Sequence, residues 1–74
     1  MTDQEGGRPM TWDELTARWD QLTGKVQAEW GRLTGDDVAW VQGHRDRLVG
    51  KLRERYEIGK DEAERRVDAW LDRL

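Results

Sequence analysis

The chain has 74 residues, 39% charged and 35% hydrophobic, with a formal net charge of -3 and no cysteine, and its mean hydropathy is -1.07. That length leaves room for one small domain of modest stability, and the lack of cysteine together with a single histidine excludes a disulfide framework and a zinc finger or ribbon. No apolar run approaches the length of a membrane span or a signal-peptide core, so the expectation is a cytoplasmic protein with no membrane partner.

Residues 1–10 hold two adjacent glycines, the only proline and no apolar period; they read as a disordered leader, with the helical domain over 11–74. Thr11 and Glu14 have the spacing of a capping box. From there Trp12, Leu15, Trp19, Leu22, Val26, Trp30 and Leu33 fall within an arc of about 80° at helical periodicity, which predicts a helix over 12–33, loosened at Gly24 or Gly31 if anywhere. Thr34 supplies the next N-cap, and Asp36 and Asp37 follow in the first turn, where negative charge suits the helix dipole. Val38, Val41, Leu48, Val49, Leu52 and Tyr56 share the second apolar arc, with Arg45 inside it and expected to snorkel at the core's edge. A third helix starts at Gly59, with Glu62 at the capping-box position and Ile58 placed to staple onto Ala63; Ala63, Val67, Trp70, Leu71 and Leu74 form its apolar face.

The expected fold class is therefore all-α, a small compact array of three to four short helices. An internal echo suggests two packed helical hairpins, since Leu22-Thr23-Gly24-Lys25-Val26 followed by Trp30 repeats 26 residues later as Leu48-Val49-Gly50-Lys51-Leu52 followed by Tyr56. Gly24 and Gly50 stand inside predicted helices, where glycine costs about 1 kcal/mol relative to alanine, and a kink or a close helix approach is the expected reason.

Catalytic and metal chemistry finds little support. His44 has no companion cysteine or second histidine, the acidic clusters lack the spacing of a calcium loop, and Gly24-Lys25 and Gly50-Lys51 lack the remainder of a phosphate loop. No catalytic residue, metal or cofactor is expected. The sharper candidate is a stripe formed by Trp40, His44, Arg47, Lys51 and Arg55, which follow one another at helical steps on one face of the second helix. Residues 44–60 carry six Lys/Arg against three Asp/Glu, so positive charge gathers beside that tryptophan. Such a stripe suits an anion, a nucleic acid or an acidic protein partner, although a pI near 5.1 weighs against nucleic acid. The plainer reading has Trp40 completing the core at a kink near Gly43 and the arginines lining a solvated face; self-association through Trp40 is a further option.

Particular residues also resemble a known family. The run Trp19-Asp20-Gln21-Leu22-Thr23-Gly24-Lys25-Val26, then Trp30-Gly31-Arg32-Leu33-Thr34 and Asp36-Asp37, then Gly43 to Tyr56, and finally Ile58-Gly59-Lys60-Asp61-Glu62-Ala63-Glu64 with Val67-Asp68-Ala69-Trp70, resembles the CsbD-like family of small bacterial general-stress proteins. The chain departs from the family pattern at Ala17 and Glu57, where glycine is usual, and at Gly59, where serine or threonine usually caps; these departures bear on local capping and loop geometry. The resemblance implies an all-helical, non-enzymatic protein with a role in bacterial stress adaptation, acting by weak protein contacts or by abundance.

Overall fold

Two capping boxes set the helical register. A computed structural model describes residues 11–74, so the leader expected over 1–10 lies outside the described residues. These form five helices, α1 (Trp12–Ala17), α2 (Trp19–Glu29), α3 (Gly35–Val41), α4 (Arg45–Tyr56) and α5 (Lys60–Asp72), with no strand among them. At the start of α1, the Thr11 hydroxyl accepts the Glu14 N–H at 3.3 Å while Glu14 Oε1 accepts the Thr11 N–H at 2.9 Å. The same exchange opens α3, where Thr34 Oγ1 accepts the Asp37 N–H at 3.0 Å and Asp37 Oδ2 accepts the Thr34 N–H at 3.1 Å. Each box satisfies two amides at a helix start that otherwise lacks partners.

Both long helices expected from periodicity are broken. The first divides at Arg18, not at Gly24: the Thr16 hydroxyl bonds back to the Trp12 carbonyl at 2.8 Å, a geometry that bends helices, and the Arg18 N–H is then shared between the Glu14 and Leu15 carbonyls. It ends at Glu29 rather than residue 33, since Trp30 turns inward and its ring centroid lies 5.3 Å from that of Trp70. The second divides at Gln42 and Gly43, whose φ values of 51° and 78° are left-handed and end α3. Gly43 is required there. A β-carbon on it would stand 2.6 Å from the Thr16 Cα, because the Thr16 hydroxyl reaches across to the Gly43 carbonyl at 3.1 Å and draws α1 against this turn. Gly24 and Gly50 cause neither kink nor close packing, since a β-carbon on either would meet nothing within 4 Å. Both sit mid-helix on open surface.

The core draws on every helix. Leu15, Trp19, Leu22, Val26, Trp30, Leu33, Val38, Val41, Leu48, Val49, Leu52, Ala63, Val67 and Trp70 are buried. Tyr56, Ile58, Leu71 and Leu74 pack against its rim. Trp19 is fully satisfied, its indole N–H donating to the Val38 carbonyl at 2.8 Å and so tying α2 to α3. Each extensive pairing joins helices adjacent in the chain, and the α4–α5 pair is the largest. Arg45 lies at the core's edge as expected, its guanidinium paired with Asp68 at 3.1 Å and near Glu64 at 3.8 Å. The departures at positions 57 and 59 also have local consequences. Glu57 takes φ +55°, a conformation glycine would adopt without strain, and Gly59 leaves α5 with no side-chain cap, Glu62 being engaged instead by Arg65 and Arg66.

Gly24→Ala and Gly50→Ala are each expected to raise stability by about 0.5–1 kcal/mol, since alanine restricts the unfolded chain and meets no neighbour. Gly43→Ala is expected to lower it by about 2 kcal/mol through clash and left-handed strain. Urea unfolding of the three variants checks both directions, and destabilisation by Gly24→Ala or Gly50→Ala would contradict the open setting of those positions.

Candidate functional site

The residues of the expected stripe do not lie on one helix. Trp40 belongs to the last turns of α3, His44 is the N-cap of α4, and Arg47, Lys51 and Arg55 follow along α4. The two helices pack side by side, and this brings three of the five together. The Arg47 guanidinium carbon lies 5.0 Å from the Trp40 ring centroid, with Nη1 donating to the Trp40 carbonyl at 2.9 Å, and Lys51 Nζ lies 5.1 Å from the same centroid. Each cation on the ring is worth about 0.5–1 kcal/mol at an exposed position, enough to hold the indole in place. Trp40 does not complete the core; it is 50% exposed and is the large hydrophobic side chain that the described residues present to solvent.

Arg55 and His44 are placed differently. Arg55 turns away from Trp40 and grips Asp37 in a two-pronged pair, Nε to Oδ2 at 2.8 Å and Nη2 to Oδ1 at 3.0 Å. Lys51 also reaches Asp37 Oδ1 at 3.4 Å and Glu54 at 3.3 Å. His44 stands at the α3–α4 turn in an open cleft of about 620 Å³ lined with Trp12, Asp13, Thr16 and Arg45 among others, and of the stripe only Arg47 shares that lining. No group of three His, Cys, Asp or Glu side chains among the described residues could hold a metal ion. None of the described helices is long and apolar enough to cross a membrane.

Asp37 is the residue that sequence reasoning missed. It is only 4% exposed, the single buried charged or polar side chain among the described residues, and it serves Thr34, Lys51 and Arg55 together. Its hydrogen bonds with Arg55 above all, then with the Thr34 amide and Lys51, outweigh the opposing effect of burial and hold its carboxyl well below the ordinary carboxylate range. The same contact pushes Arg55 further up. A local signal was present, since Thr34 and Asp37 repeat the spacing of Thr11 and Glu14. The partnership with Arg55, 18 residues away, has no local signature.

Taken together, these features define a small all-α protein of capped helices, with a buried carboxylate at one helix junction and a cation-flanked tryptophan at its surface. Residues 13–65 match the family model described as CsbD-like, and the chain belongs to the CsbD-like family. It is 50% identical over 64 residues to the UPF0337 protein YjbJ of Escherichia coli O6:H1, covering 86% of this chain and 93% of that one. It is similarly 48% identical over 65 residues to the UPF0337 protein PA4738 of Pseudomonas aeruginosa, covering 88% of this chain and all of the relative, and 43% identical over 63 residues to the UPF0337 protein ECA0631 of Pectobacterium atrosepticum, covering 85% and 91%.

Asp37→Asn is expected to lower stability by about 1–2 kcal/mol at neutral pH, because it replaces the charge-assisted bonds to Arg55 and Lys51 with weaker neutral ones. Since folding lowers the Asp37 pKa, its stabilisation is complete above the unfolded value of about 4 and is lost as pH falls below that towards the folded-state value. The gap between the wild-type and Asp37→Asn denaturation midpoints is therefore constant from neutral pH down to about 5 and narrows in more acidic buffer. A gap that widened on acidification would remove Asp37 from this role.

Proposed function

We propose that this chain is a non-enzymatic bacterial general-stress protein of the cytoplasm that acts through weak protein contacts, with Trp40 as the contact residue. The observation that carries this reading is the exposed indole held between α3 and α4 by Arg47 and Lys51. Tryptophan and arginine dominate the energetics of protein interfaces, and a side chain already held in place loses little further freedom on binding. The polar side chains around it serve the fold: Asp37, Arg55, Lys51 and Thr34 satisfy one another, and Arg45 is engaged by α5. The family resemblance supports the stress role.

Nucleic-acid or anion binding by the stripe draws less support. Two of its cations contact the Asp37 carboxylate and one of these also contacts Glu54, so less positive charge remains for phosphates than the sequence suggests.

In a host strain lacking the gene, screened across heat, osmotic, oxidative and starvation stress for a survival defect, the wild-type protein is expected to restore survival, and a Trp40→Ala protein of equal abundance and equal thermal midpoint is expected to fail. Equal protection by Trp40→Ala would favour action by abundance alone. The nucleic-acid alternative is checked on single-stranded and duplex DNA at low salt, where binding abolished by Arg47→Glu combined with Arg55→Glu would replace the protein-contact reading.

A further inference from the structure

The surroundings of Trp40 identify what it would dock against. Along α3, Trp40 follows Asp36 by four residues and Asp37 by three, so at about 100° per residue the Asp36 side chain leaves the helix about 40° to one side of the indole and Asp37 about 60° to the other. Asp37 is on the α4 side, in contact with Lys51 and Arg55. Asp36 is therefore on the far side; it is exposed and has no ion-pair partner among the described residues. Arg47, on the α4 side, contacts the Trp40 ring and carbonyl, with no carboxylate partner among the described residues. The patch thus reads, in order, a free carboxylate, an exposed indole, and a guanidinium with no counter-charge.

We propose that this patch binds a second copy of the same chain across a two-fold axis through Trp40. A two-fold interface brings the same surface of each copy together in opposite orientation, which sets the two indoles against each other and places Asp36 of each copy near Arg47 of the second copy. An acidic partner would use Arg47 but would face the Asp36 carboxylate beside the indole; a second copy uses both charges. The proposal rests on the reading of Trp40 as the contact residue and names its occupant. One indole with a few flanking side chains covers less than the roughly 1,200 Å² of a stable interface, so the dimer is weak, with a Kd on the order of 0.1–1 mM.

Sedimentation at protein concentrations up to about 1 mM in physiological salt tests this directly, on the full chain, with thermal melts to establish that each variant folds. The wild type is expected to dimerise and Trp40→Ala to remain monomeric. Asp36→Arg and Arg47→Glu are each expected to weaken the dimer by about tenfold or more, and the two together to restore it, since the exchange rebuilds both cross-pairs. Asp61→Arg makes the same change in net charge as Asp36→Arg but lies at the start of α5, beyond the opposite end of α4 from Arg47, and is expected to leave association unchanged. A wild type that stays monomeric at 1 mM, a dimer that survives Trp40→Ala, or a double exchange that fails to restore what the single changes removed would each overturn the proposal. These results are read on purified protein, so a monomer whose Trp40→Ala variant still fails to protect cells would refute the self-pairing and leave the contact role of Trp40 standing.

Discussion

A carboxylate taken out of water is costly unless its oxygens are hydrogen-bonded and its charge is matched, and meeting that requirement at Asp37 shapes much of this molecule. The Thr34 amide and the two cations of α4 can reach one small site only if α3 lies along α4 at one rotation and one height. Fixing α3 in this way turns Val38 and Val41 into the core and leaves Trp40 outside it. Lys51, drawn to Asp37, then sits over the indole face, while Arg47 closes on the carbonyl of the same residue. The surface feature and the buried pair are two outcomes of one packing constraint.

The repeated sequence pattern acquires meaning at this level. The Gly-Lys pairs of the repeat fall in the middle of the longer helices α2 and α4, and each of these follows a short helix, α1 or α3, that opens with a capping box. The local chemistry is shared, but its tertiary use differs. The box at α1 is exposed, whereas the box at α3 faces α4, where its acid is buried and takes on Arg55. The same sequence grammar therefore makes a simple cap in one unit and a junction in the other.

The apolar stripes were legible because period 3.6 and burial go together, and the residues on those stripes fill the core apart from Trp12, Tyr56, Leu71 and Leu74, which remain at its rim. Helix ends were less legible, for an identifiable reason. Both breaks keep the apolar positions nearly in phase, so periodicity runs through Arg18 and through Gln42-Gly43 as though the helices continued. What ends them is a threonine hydroxyl bonding back to a carbonyl four residues earlier, a choice that periodicity does not report, and a glycine pressed against Thr16, which depends on chain brought near by folding. The stripe was legible as a set of residues but not as a surface. Trp40, Arg47 and Lys51 converge although α3 and α4 are separate helices, and Arg55 and His44 part from them because Asp37 captures the first and the turn carries the second into another cleft.

The order in which these helices pack has a kinetic consequence. Every extensive pairing joins chain neighbours, so most native contacts close over short loops and little entropy is lost before each is rewarded. The main long-range closure is at one end, where Trp70 meets Trp30 and Arg73 reaches Glu29 at 2.6 Å. Chains dominated by local contacts cross to the native state in microseconds to milliseconds. Rapid recovery of structure after a transient denaturing insult is the expected consequence, because local closure shortens the time in which apolar surface stands exposed.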